Sequence, residues 1–114
     1  MLEETHDAEA SSGIVCDSTP LVTSFRPRAA KLFGWKPEEV VGKQSVVIFH
    51  EPCAVAMLVR RLLRTAAEIG EFEEELTLVP RNESKFVGTL TVRSLLHRGV
   101  DVGCMGLTRH LRSI

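Results

Sequence analysis

The chain contains no tyrosine and a single tryptophan, Trp35, and aromatic residues make up only 5% of its 114 residues. Single-stranded nucleic acid is held largely by stacking bases on aromatic rings, so a platform of that kind is poorly supplied. A basic excess is missing too: 14 Lys and Arg face 15 Asp and Glu, for a formal charge of -1. Binding to a phosphate backbone draws on a surplus of cations, and no nucleic-acid partner is expected. No apolar run approaches the roughly 18 residues that a membrane-spanning helix needs, and no membrane contact is predicted for this segment. Cysteine is sparse as well. Cys16, Cys53 and Cys104 form no Cys-x-x-Cys or Cys-x-His spacing, and an odd, widely separated set reads as reduced thiols. The opening Met1–Gly13 is polar and acidic, unlike a signal peptide, which together with the thiols points to a cytoplasmic setting. No two histidines share the helical spacing of metal ligands, so no metal site is expected.

What is present is an ordinary globular mixture, 44% hydrophobic and 25% charged, at the length of one domain. Such a chain buries roughly two-thirds of its unfolded surface, enough for one core with room for a small cavity. Residues 1–12 lack apolar periodicity and read as a flexible or weakly helical lead-in. Gly13–Asp17 and Leu21–Phe25 are β-branched runs broken by Ser18-Thr-Pro20, the pattern of a hairpin. Pro27 and Pro37 open two short helices, which Gly34 and Gly42 close. From Pro52 to Ile69, the residues Val55, Leu58, Val59, Leu62, Ala66 and Ile69 recur at three and four, one face of a long helix. Arg60, Arg61 and Arg64 fall opposite as a solvated basic face. Beyond Gly70, Phe72, Leu76 and Leu78 alternate with Glu73, Glu75 and Thr77 in a half-exposed strand. A second strand carries Phe86, Gly88, Leu90 and Val92 on one face, and a third spans Val100–Thr108 after the His97-Arg98-Gly99 turn. The resulting expectation is an α+β domain: a five-stranded antiparallel sheet with three or four short helices and one long helix on one face.

The stretch Arg28-Ala-Ala-Lys-Leu-Phe-Gly-Trp-Lys-Pro-Glu-Glu-Val-Val-Gly-Lys43 resembles the signature of PAS sensory domains. Phe49-His50-Glu51-Pro52, Glu68-Ile-Gly-Glu-Phe-Glu73 and Gly103-Cys-Met-Gly106-Leu-Thr-Arg109 are similar to further segments of that family, in the same order. The resemblance covers residues 13–111, with 112–114 left as a tail. Three departures stand out. Arg26-Pro27 replaces a capping Asn, Arg81-Asn82-Glu83-Ser84 replaces a Lys-Asp-Gly hairpin, and Arg109-His110-Leu111-Arg112 replaces the closing Arg-Asp-Ile-Thr.

The resemblance implies a sensory or interaction module rather than an enzyme. Such modules bind a small ligand or dimerise, and bias an effector domain in a histidine kinase, chemoreceptor or transcription regulator. It places a ligand pocket among Leu32, Phe33, Val47, Phe49, Met57, Leu58, Leu62, Leu76, Leu90 and Cys104. A homodimer is expected through the N-terminal segment or through a sheet face carrying Val79, Val87, Thr89, Thr91 and Leu95. No cofactor is predicted. Adduct-forming flavin chemistry needs a cysteine, where Gly42-Lys-Gln-Ser-Val46 offers Ser45. A haem would have to use His50, just before the long helix, or Met57 within it, and both have plain structural readings as a polar helix-start residue and a packing side chain. With so few aromatics the pocket suits a small apolar ligand, or none, better than a flavin. An alternative from a different class is a thiol redox switch or a small Cys-dependent enzyme built on Cys53 and His50.

Overall fold

The computed structural model describes residues 12–52 and 55–114. Residues 1–11 of the expected 1–12 lead-in, and Cys53, lie outside the described residues. Strands β1 (Ile14–Cys16) and β2 (Val22–Phe25) are followed by helices α1 (Pro27–Phe33) and α2 (Pro37–Val40), a 3-10 turn (Val46–Phe49) and the long helix α3 (Val55–Ile69). The chain ends in β3 (Glu71–Leu78), β4 (Phe86–His97) and β5 (Val100–Ser113). All five strands form one antiparallel sheet in the order β2-β1-β5-β4-β3, so the two ends of the chain meet at its centre. The expected α+β arrangement is what forms.

Local chemistry sets the turns. Asp17 joins β1 to β2: its Oδ1 accepts the N–H of Thr19 (2.8 Å) and of Leu21 (3.0 Å). The Thr19 hydroxyl, which also donates to Oδ1, and those two N–H donors hold its carboxyl below the usual carboxylate range. Helix α1 starts on Pro27 with no side-chain cap from Arg26, and it stops where Gly34 turns left-handed at φ 73° and donates its N–H to Ala30 O. In α2 the Glu39 carboxylate accepts the N–H of Lys36 (2.9 Å). That helix ends at Val40, slightly before the expected Gly42. Val41 is already extended, and Gly42 returns the chain so that its N–H reaches Val22 O.

The third meander strand is longer than Val100–Thr108. Because β4 starts at Phe86, the hairpin offers β5 a partner as far as Ser113, with a bulge at Val87/Gly88 accommodating the extra residue. Gly103 is the tightest point of the sheet. It sits at φ 144°, and a Cβ there would lie 2.0 Å from the carbonyl oxygen of Cys16, so only glycine lets β1 lie against β5.

Helices and sheet enclose two groups of buried side chains. The first holds Ile14, Val22, Phe25, Ala29, Phe33, Val40, Phe49, Leu78 and Phe86. Its rings interlock: Phe33 lies 4.7 Å from Phe49 and 5.9 Å from Phe86, and Phe25 stacks on Phe49 at 5.6 Å. The second, between α3 and the sheet, holds Cys16, Leu62, Ala66, Leu90, Val92 and Cys104. Helix α3 presents Val59, Leu62 and Ala66 to it, as the spacing predicts, but Ile69 at the helix end is 64% exposed because the chain turns away at Gly70. Arg61 is not simply solvated. It forms a two-pronged pair with Glu74 of β3 (2.9 and 2.6 Å), tying the helix flank to the sheet. Of the remaining acids of β3, two answer cations on the outer face, Glu71 with Arg93 (2.7 Å) and Glu75 with Arg112 (3.6 Å), and Glu73 accepts the Thr91 hydroxyl (3.3 Å).

Candidate ligand cavity between the long helix and the sheet

The second core is incompletely filled. It leaves a partly open cavity of about 60 Å³. Leu90 and Val92 of β4, Cys104 and Gly106 of β5 and Cys16 of β1 form its floor, and Val59, Leu62 and Leu63 of α3 its roof. Val46 and His50, at the two ends of the 3-10 turn, close the side. Strand register explains the floor: Val92 faces Gly106, Ser94 faces Cys104, and Cys104 faces Cys16, so alternate residues of three strands point the same way. Gly106 brings no side chain, and Leu90 packs over it, its Cδ1 3.2 Å from where a Cβ would stand.

His50 is the one imidazole in this lining. It is 7% exposed, and its position is fixed by backbone bonds on both sides. Its own N–H donates to Val47 O (3.2 Å), and next to it the N–H of Val79 donates to Phe49 O (2.9 Å). Its Nδ1 is buried and has no hydrogen-bond partner among the described residues. Burial disfavours the imidazolium and pushes the His50 pKa down to about 4, so the ring is neutral at physiological pH. The two thiols respond in the opposite sense. Burial raises the Cys16 pKa and pushes Cys104 up to about 11, so both stay protonated. The cavity is therefore uncharged, apolar over most of its wall, and bordered by a histidine whose buried Nδ1 has no partner among the described residues.

The residues expected to line a pocket divide among several places. Leu62, Leu90 and Cys104 line the cavity, and Leu58 and Leu76 pack beside it. Phe33 and Phe49 instead fill the first core, with Leu32 at its margin, and Val47 is half-buried on the 3-10 turn. Met57 is 75% exposed. It stands about 200° around the helix from Val59, which faces the sheet, so it points to solvent and cannot ligate anything in the cavity. The pocket expected from the sequence does not include Cys16, Val46, Val59, Leu63, Val92 or Gly106, and it considers His50 only as a haem ligand or a partner of Cys53. Strand parity was a usable signal for Val92 and Gly106. Nothing local announces His50, since its burial depends on the 3-10 turn folding back onto β3.

Ser45, where adduct-forming flavin domains need a thiol, accepts the N–H of Val47 (3.3 Å) and so caps the 3-10 turn. Organic cofactors occupy pockets of several hundred Å³. A flavin or haem does not fit the 60 Å³ present here.

The outer sheet face carries a shallow groove of about 280 Å³ bordered by Glu71, Glu73, Thr89, Thr91, Arg93, Leu107 and Arg109. Thr89 and Thr91 from the expected dimer surface lie in it, and Val87 and Leu95 share their strand face. Val79 lies beyond the end of β3, engaged with Phe49, and is not in this groove. Thr89 is 9% exposed, and Ser12 is fully buried with its Oγ accepting the N–H of Thr108 (3.1 Å). Among the described residues no helix is long and apolar enough to cross a membrane, and no cluster of three metal-ligating side chains occurs.

No curated protein matches this chain. Among solved structures, the fold is similar to the PAS domain of a protein from Colwellia psychrerythraea (TM-score 0.80, 17% identity, 97% of each chain covered). It is also similar to a light-oxygen-voltage protein from Rhodobacter sphaeroides (TM-score 0.71, 15% identity, 97% of this chain and 68% of that one). A third is the PAS domain, in complex with ethanol, of a LuxR-family transcriptional regulator from Burkholderia thailandensis (TM-score 0.69, 12% identity, 94% and 96% covered). The sequence model of the PAS fold matches residues 8–109, and with the helix-covered five-stranded sheet this shows that the chain belongs to the PAS family.

Proposed function

We propose that this PAS domain senses a small neutral molecule of a few heavy atoms, held against His50 in the cavity between α3 and the sheet. The observation that carries the reading is a buried imidazole nitrogen with no hydrogen-bond partner among the described residues, on a histidine that borders an uncharged space of about 60 Å³. An unsatisfied buried nitrogen costs about 1–3 kcal/mol, which a ligand hydroxyl would recover. A hydroxyl both donates and accepts, so it suits either neutral tautomer of His50. Charged ligands are disfavoured by the apolar wall. The ethanol bound to the PAS domain of the LuxR-family regulator is of this size and chemistry.

Signal output requires two states that the ligand distinguishes. Helix α3 roofs the cavity and is tied to β3 through Arg61 and Glu74, so occupancy would act on the sheet through that helix. The outer groove with Thr89 and Thr91 would seat a second copy, and the effector would be a histidine kinase, chemoreceptor or transcription regulator in the cytoplasm. The domain itself would carry out no reaction. In the Cys53–His50 alternative His50 would act as base, and a base with a pKa of about 4 has little power to deprotonate a thiol at neutral pH.

The test is a methyl-detected NMR titration with methanol, ethanol, propanol and butanol. Saturable shifts at Val59, Leu62, Leu90 and Val92, weakening at the longer alcohols, are the expected result. Shifts confined to the surface, or linear to molar concentrations, would overturn the reading. Sedimentation at tens of micromolar tests the dimer: a monomer throughout removes it.

A further inference from the structure

Cys16 and Cys104 are read from the sequence as two separate core residues, 88 positions apart in the chain. The fold makes them directly opposed partners on neighbouring antiparallel strands, and both line the same cavity. From this juxtaposition we infer that Cys16 and Cys104 form a peroxide-oxidisable dithiol whose product is a disulfide staple between β1 and β5.

The distances suit the bond. Opposed residues of an antiparallel pair have Cα atoms about 4.5–5.5 Å apart, within the roughly 4.4–6.8 Å that disulfides span. Both residues occupy the inward face, so their sulfurs share one space. The site is also reachable by the oxidant. Both thiols are nearly buried, each 4% exposed, but the cavity they border has room for a molecule slightly larger than water. Peroxide is neutral and small enough to enter where a charged oxidant is excluded. The strands are held together next to the pair: Gly103 brings the backbones of β5 and β1 into contact, its N–H is held by Asp101 Oδ1 (2.9 Å), and the ladder continues through Val15–Met105 and Ile14–Gly106. Closing the bond therefore needs side-chain rotation rather than strand movement.

The chemistry balances as follows. One thiol loses its proton and its sulfur attacks a peroxide oxygen; the O–O bond breaks, hydroxide leaves and takes up that proton as water, and a sulfenic acid remains. The second sulfur then attacks the sulfenic sulfur, its proton leaves with the hydroxyl as a second water, and the S–S bond forms. Two thiols are oxidised and one peroxide is reduced to two waters. The charged and titratable groups around the pair set the rate. Asp17 and Asp101 are the flanking carboxylates, both disfavouring thiolate, and His50 borders the same cavity as a neutral ring. With burial holding both thiol pKa values high, the reaction is slow at neutral pH and quickens with the thiolate fraction.

The consequence bears on the cavity. A disulfide would remove two thiol walls and lock the floor strand β1 to β5, so oxidation and ligand occupancy would act on one element. The dithiol stands on strand register and does not depend on the alcohol reading.

Peptide mapping by mass spectrometry after hydrogen peroxide treatment of the intact native chain is the test, with quenching by alkylation and unfolding before digestion. The expected result is loss of two hydrogens from the intact mass and a linked peptide pair containing Cys16 and Cys104, in the natural sequence and in Cys53→Ser alike. Its formation rate should rise roughly tenfold per pH unit between pH 7 and 9. Linkage through Cys53, linkage formed only after denaturation, or both thiols recovered as alkylated cysteine would overturn the inference. Because the mapping uses the natural chain, it does not rely on Cys104→Ser folding. A positive linkage with no alcohol binding would separate this inference from the ligand reading, and the reverse result would do the same.

Discussion

The two halves of the core bury apolar side chains under the same sheet, yet they are built differently. Around Phe33 the packing is aromatic and closed: four phenylalanines interlock, and Phe33, Val22, Val40 and Leu78 are each 2% exposed or less. Around Leu90 it is aliphatic, with two thiols, a glycine in the floor and a space left unfilled. Nearly all of the chain's few aromatics are spent on the first half. The scarcity visible in the composition is therefore uneven in space, and the half with only Phe72 at its margin is the half with room for a ligand. One half holds the fold, and the other can respond.

The sharpest way to break this contrast is to truncate each half in turn. Phe33→Ala should cost about 3–5 kcal/mol, because it removes a ring from between Phe49 and Phe86 and leaves a void that rigid neighbours cannot fill. Leu62→Ala, beside an existing space, should fall nearer 2 kcal/mol. Urea unfolding of both variants measures this, and equal losses would argue against a closed half and an open one.

Next in size is Gly103→Ala, at the seam joining the open half to β1. Its methyl group would meet the Cys16 carbonyl, and prising β1 from β5 should cost about 3 kcal/mol. Hydrogen exchange would show lost protection at Ile14–Cys16 before any loss at Phe72–Leu78.

A third difference is electrostatic. Burial lowers the His50 pKa from 6.5 to about 4, so between those values the unfolded chain binds a proton that the folded chain refuses. The stability due to a neutral His50 is complete above about pH 6.5 and is lost as the pH falls toward 4. The loss is roughly 3 kcal/mol at its limit. Unfolding curves from pH 7 to 4 should show wild type falling by this amount relative to His50→Leu. Parallel curves would place His50 in water.

The smallest effect compares one added methylene in each half. Val22→Ile should destabilise by about 1–3 kcal/mol, since the site is full. Val92→Ile should be neutral or gain less than about 1 kcal/mol by entering the cavity, and should weaken alcohol binding. The same sign at both positions would remove the distinction.

Much of this architecture is legible in the sequence. The three-and-four spacing of Val59, Leu62 and Ala66 marks the buried face of α3, and the alternation in Phe72–Leu78 and Phe86–Val92 gives strand faces directly. The site is less legible, because it is assembled by register. Nothing near Cys16 says that Cys104 stands opposite, and nothing near His50 says that a 3-10 turn tucks it beneath α3. The family resemblance points to Leu32, Phe33 and Phe49 as pocket residues, but an apolar side chain on a short helix or turn reads the same whether the core beneath it is filled or not. Met57 misleads for a related reason: an apolar residue on an amphipathic helix is readable as inward until the phase of its neighbours is fixed.

The account rests on His50 being a neutral, buried ring that gains a hydrogen bond when the cavity is occupied. Nitrogen-15 NMR of its imidazole, followed from pH 7 to 4 with and without ethanol, tests this directly. The account predicts a titration near pH 4 in the free domain and a saturable change at Nδ1 on adding ethanol at pH 7. A ring that titrates near its ordinary 6.5 and ignores ethanol would contradict it.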